Sequence, residues 1–120
     1  MPRRKAQDYE EFAVNEEKVR EAQKKLVDGL TATHLAQTFR ALSDPSRVRI
    51  VSALASGEMC VCNIAAAVGM SDSATAHQLR ALRESRLVKF DKREGEAFYR
   101  LQSPHIASLF AEGVKHTDDE

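Results

Sequence analysis

Cys60-Val61-Cys62 sets two thiols two residues apart in a chain of 120 residues that holds no other cysteine. Thiolates are ligands for soft ions, and two of them leave such an ion short of the three or four donors it takes. A disulfide between neighbours this close is strained, so free thiols and a reducing, cytoplasmic setting are expected. On a continuous helix residues two apart diverge by about 200°, so both sulfurs face one ion only if Cys60 lies at the frayed start of a helix. A helix N-terminus is also expected to lower a thiol pKa and favour the thiolate. Without an ion the pair reads as two small buried hydrophobes.

His105 and His116 form a second group. Eleven helical steps of about 100° return to nearly the same face, but the two rings then stand roughly 16 Å apart along the axis. Zinc needs each nitrogen at about 2 Å. One helix cannot chelate with both, whereas His105 of one subunit and His116 of an antiparallel second copy can meet. Asp119 follows His116 by three residues and can share that ion if the helix continues. Alone, the same residues read as surface histidines near a frayed terminus. His34 reads as a core or interface residue.

The third group could read DNA. Ser71, Ser73, Ala76, His77, Gln78 and Arg80 place small and hydrogen-bonding side chains at the start of a helix, the kind of surface a major groove reads. Lys92 and Arg93 follow in a hairpin, where they can reach phosphate or the minor groove. The bland alternative is a solvated amphipathic helix beside a hairpin.

These groups need elements to hold them. Asn15 caps a helix with Glu16 and Glu17 in its first turn, running to about Leu30 with Val19, Ala22, Leu26 and Leu30 at helical spacing. Thr31 or Thr33 opens a second helix. Ser43-Asp44-Pro45 stops it and starts a third, to about Ala55, with Val48, Ile50, Val51 and Leu54 inward. Helices over about 61–68 and 72–85 meet at Gly69, which tolerates the positive φ such a turn demands, and Ala65, Ala66 and Ala67 allow a close crossing. Thr75, Leu79 and Leu82 face inward. Strands over 87–91 and 97–101, joined by a turn at 92–95, make the hairpin. A last helix over about 103–116 begins with Pro104 in its first turn. The expected fold is mainly α with a two-stranded β-wing, a winged helix-turn-helix. Its expected organisation is a flexible arm over 1–14 and a single domain over 15–120, with the helix-turn-helix at 61–85, the wing at 87–101 and a C-terminal helix at 103–117.

Formal net charge is zero, which weakens the simplest argument for nucleic acid. The charge is uneven, however: residues 71–100 carry seven Lys/Arg against five Asp/Glu. A small basic surface suits a binder that must leave DNA easily. The longest apolar run, IAAAVGM, is too short to span a bilayer, and no apolar stretch follows the basic N-terminus as in a signal peptide. No CxxC, no glycine-rich phosphate loop and no base beside the cysteines support an enzyme.

Taken together, ALSDPSRVRIVSAL, EMCVCNIAAAVGMSDSATAHQLRALRESRLV and KREGEAFYRL resemble the ArsR/SmtB metal-responsive repressors over nearly all of Val14 to His116. FAVNEEKV is most similar to the CadC-like subgroup. The resemblance implies a homodimer that holds double-stranded operator DNA when metal-free and releases it on binding Zn(II)- or Cd(II)-type ions. It makes the last helix a dimer helix. It aligns Cys60 and Cys62 with a thiolate motif, a second and incomplete site, because Tyr9 and Ala13 stand where CadC-like arms carry cysteines. Arsenic sensors carry a third cysteine soon after the pair, where this chain reads NIAAAV. Ser103 occupies the position of a family aspartate beside the first histidine. Serine is a poor ligand, which leaves the fourth place to water, Asp118 or Glu120. The alternative is a thiol sensor of arsenite, cadmium, lead, oxidant or persulfide acting through Cys60 and Cys62.

Overall fold

The computed structural model describes residues 13–119. Tyr9, Glu120 and nearly all of the expected arm lie outside them. Among the described residues six helices and three strands follow in order: α1 Glu16–Lys25, α2 Gly29–Ala41, α3 Pro45–Ala55, β1 Met59–Cys60, α4 Val61–Val68, α5 Asp72–Glu84, β2 Val88–Arg93, β3 Glu96–Leu101 and α6 Pro104–Asp118. Two compact units divide within α2, after Thr33.

In the first unit Asn15 caps α1, accepting from the Lys18 amide at 3.1 Å, with Glu16 and Glu17 in the first turn as expected. The helix stops sooner than its apolar spacing suggested. Leu26 is extended, and Asp28 accepts from the Thr31 amide at 2.7 Å. That cap starts α2 at Gly29, ahead of Thr31, because a carboxylate satisfies the orphan amides of a first turn better than a threonine within it. Leu30 therefore belongs to α2. No residue of α1 is buried, and Val14, Val19, Leu26, Val27 and Leu30 are exposed.

The second unit holds the core. Ile50 and Val51 of α3, Ile64 of α4, Leu79 and Leu82 of α5, and Leu87 and Val88 at the start of the hairpin are buried together. Full burial of each such side chain contributes about 1.5–3 kcal/mol. Val48 is half-buried at the edge of this set. Asp44 caps α3 through the Ser46 amide at 2.9 Å, and Pro45 occupies the first turn. Gly69 ends α4 with φ 71° and ψ 35°, the left-handed conformation that turns the chain towards α5. Of the three alanines only Ala65 is buried; Ala66 and Ala67 are exposed.

The hairpin is tighter than expected. β2 and β3 pair to the register Arg93↔Glu96, leaving a turn of Glu94 and Gly95. Both have positive φ, 54° and 81°, the signature of a hairpin turn whose twist matches its strands. Lys92 and Arg93 are thus strand residues, not tip residues. The sheet has three strands, ordered β1-β3-β2, rather than two: Met59 pairs with Tyr99 and Cys60 with Phe98. A two-residue strand is too short to announce itself by alternation. The helices packed beside this sheet form the winged helix-turn-helix expected.

Candidate nucleic-acid interface and metal-ligating residues

The side chains expected to face DNA sit on α5. Ser71 is its N-cap, its hydroxyl accepting from the Ala74 amide at 3.0 Å. Thr75, Leu79 and Leu82 are buried beneath. Ser73, His77 and Arg80 project outwards and are exposed, while Ala76 is half-buried. Gln78 is engaged from two sides. It accepts from Arg47 Nε at 2.8 Å, and its Nε2 donates to Asp44 Oδ2 at 3.3 Å. Arg47 and Asp44 also approach each other at 3.7 Å. This half-buried cluster braces α5 against the start of α3. Sequence reasoning took Gln78 as a flanking DNA contact because its partners lie 31 and 34 residues away.

The wing carries its own ion pairs. Arg93 is hydrogen-bonded to Glu58, lies 3.8 Å from Asp91 and stacks 4.4 Å over the Phe98 ring. The Glu58 carboxylate holds the Arg93 guanidinium above its ordinary pKa. Arg100 bridges Asp91 at 2.7 Å and Glu58 at 3.6 Å. Lys92 is exposed on the same strand. Behind it, Phe90 stacks on Tyr99 at 5.1 Å, and Arg83 of α5 lies 4.9 Å over Phe90, tying α5 to the wing.

Cys60 is where the two-thiol geometry requires it. It ends β1 and is the N-cap of α4, and its side chain makes no capping bond. Cys60 is buried and Cys62 exposed, with the sulfurs 3.6 Å apart. The expected fall in thiol pKa is overturned for Cys62. Its pKa is raised, first by its hydrogen bond to Cys60, then by that thiol's charge, and further by Glu96 and Asp72. The hydrogen bond and the nearby negative charges favour its neutral form. Glu96 was missed by the sequence reading, yet donor atoms of Cys60, Cys62 and Glu96 all lie within 4.8 Å of one another.

The histidine group lies on α6. His105 and His116 are exposed, and the helix runs on through Asp118 with Asp119 as its C-cap. Ser103 is the N-cap but makes no side-chain capping bond. One protomer does not bring this group together, as helical spacing requires. Ile106 and Phe110 pack α6 on the core, leaving Leu109 and Val114 exposed. His34 is exposed on α2 rather than in the core.

Residues 44–89 match the family of bacterial regulatory proteins called arsR. The chain is 42% identical to a transcriptional repressor SmtB homolog of Synechocystis over 88% of its own length and 80% of that relative. The chain belongs to the ArsR family. A cadmium resistance transcriptional regulatory protein CadC homolog of Staphylococcus aureus is 33% identical, with 86% and 85% of the two chains covered. Among solved ArsR-like structures, a homodimeric winged helix-turn-helix DNA-binding domain from Mycobacterium bovis superposes with a TM-score of 0.70 at 30% identity, over 78% of this chain and 89% of that one. The ArsR family is one of transcriptional regulators. No described helix is long and apolar enough to cross a membrane.

Proposed function

We propose that this ArsR-family chain is a homodimeric repressor that grips operator DNA through α5 and the wing and lets go when a divalent ion binds. The observation that carries the DNA half is the exposed row of Ser73, His77 and Arg80 on α5 beside a strand bearing Lys92. Ser71, Ala76 and Gln78 flank that row, and Arg93 adds a second cation to the strand.

For the metal half, His105, His116 and Asp119 supply nitrogen and oxygen donors of the kind zinc takes. Their spacing on α6 calls for donors from two subunits. Ser103 is the weak member of the set, since a neutral hydroxyl is a poor ligand. A bound ion supplies a fixed link between subunits. Exposed apolar residues, Val19 of α1, Leu26 just after it, and Leu109 and Val114 of α6 among them, supply surface for a dimer. The free thiols suit a reducing cytoplasm. Relatives named for cadmium resistance keep cadmium beside zinc as a candidate ion.

The test compares two variants of the full chain on an operator duplex. His105→Ala should bind operator as the parent does and lose release by zinc. A His105→Ala protein that still releases with zinc, paired with a Cys60→Ser protein that does not, would make the thiols the regulatory group.

A further inference from the structure

We propose that Glu96 is a metal ligand, and that Cys60, Cys62 and Glu96 form a site for a divalent, borderline-soft ion within one protomer. The inference rests on the metal-responsive reading for its purpose, but on separate geometry for its existence.

The sulfurs stand 3.6 Å apart. Two thiolates at about 2.3 Å from a tetrahedral ion lie about 3.8 Å from each other. The pair is therefore set almost at the separation that chelation requires, before any ion arrives. Cys60 leaves its role as N-cap unfilled by any side-chain bond, so its sulfur is not committed to the helix.

The third donor comes from the sheet. β1 and β3 pair as Met59↔Tyr99 and Cys60↔Phe98. Continuing that antiparallel register two steps sets position 62 opposite position 96. The chain turns into α4 after Cys60, yet the Glu96 carboxylate still comes within 4.8 Å of both sulfurs. Two carboxylates near this corner are held by cations, Glu58 by Arg93 and Arg100, and Asp91 by Arg93 and Arg100. Glu96 has no ion pair among the described residues.

Two thiolates and one carboxylate carry three negative charges. They suit a divalent ion such as cadmium or zinc, with a fourth place for water. Binding forms two sulfur–metal bonds and one oxygen–metal bond, and the two thiol protons pass to solvent. Arsenite takes thiolates in preference to oxygen, so the carboxylate biases the site towards divalent ions. The ion would join the start of α4 to the tip of the wing, since Glu96 faces Arg93 across the hairpin.

The experiment uses the full chain carrying His105→Ala and His116→Ala, to remove the α6 donors, and no DNA. Cadmium is titrated against it, followed by thiolate-to-cadmium charge-transfer absorption. Glu96→Gln should weaken cadmium at least about tenfold, the scale on which even indirect support of a ligand matters, with the absorption per bound ion kept because both thiolates remain. Glu94→Gln, the neighbouring turn carboxylate, should leave the affinity unchanged, and arsenite should bind parent and Glu96→Gln alike. Unchanged cadmium affinity in Glu96→Gln, or an equal loss in Glu94→Gln, would overturn the assignment. Because operator release plays no part in the readout, failure of the repressor reading is seen separately.

Discussion

Arg47 donates from its Nε to Oε1 of Gln78 at 2.8 Å, across 31 residues of chain. The bond joins the start of α3 to the middle of α5, and Asp44 completes it from the other side of the amide at 3.3 Å. Gln78 thereby ties α5 to the start of α3. Gln78→Ala should lower thermal stability by about 1 kcal/mol, the net value of such a bond, and weaken operator binding at many sequences alike. Thermal unfolding together with binding to operator variants checks this. Weakened binding confined to one base position, with stability intact, would instead make Gln78 a base contact.

Two cations of the wing are in different states. Lys92 is exposed, whereas Arg93 is paired with Glu58. An exposed pair of this kind is weak, so phosphate can displace it at little cost. Lys92→Ala should reduce affinity almost uniformly across sequences and shrink the salt slope by about 1. Glu58→Gln, which removes the anion hydrogen-bonded to Arg93, should tighten binding. Salt titrations of operator affinity measure both. Arg80→Ala should also weaken binding, and unchanged affinity in Arg80→Ala and the Lys92/Arg93 double alanine would place the DNA surface elsewhere.

Thr75 is fully buried in α5, and its hydroxyl makes no hydrogen bond among the described residues. A buried polar atom without a partner costs about 1–3 kcal/mol. Thr75→Val keeps the shape and removes the hydroxyl, so it should leave stability unchanged or raise it, with operator affinity intact. A fall in the unfolding midpoint would show that the hydroxyl is satisfied in solution.

Local signals were legible in the sequence and long-range ones were not. Asn15, Asp44 and Ser71 are caps whose partners lie within three residues, and Gly69 is a turn that only a permissive residue fits. The buried face of α5 followed from period alone. The end of α1 did not, because the apolar spacing ran on past Lys25 while the Asp28 cap ended it. The wing turn was misplaced for a similar reason: two positive φ angles at Glu94 and Gly95 give a tighter loop than glycine alone announces. At the candidate sites, Glu96 and the Gln78 brace depend on strand register and on helix packing across more than thirty residues. Neither leaves a local mark. The antiparallel register of Cys60 with Phe98 is the signal that would have pointed to Glu96.

The central claim is that ion binding and operator binding oppose each other. Linkage makes the effect mutual, and couplings of this kind are typically about 1–3 kcal/mol, or roughly 5- to 150-fold. The most direct measurement is a titration of zinc and cadmium into the complex of the full-length dimer with its operator at physiological salt, read by fluorescence anisotropy of the labelled duplex. At least one ion should weaken the complex by a factor in that range, and the apo protein should re-form it after chelation. A complex whose affinity is the same with and without either ion would contradict the account.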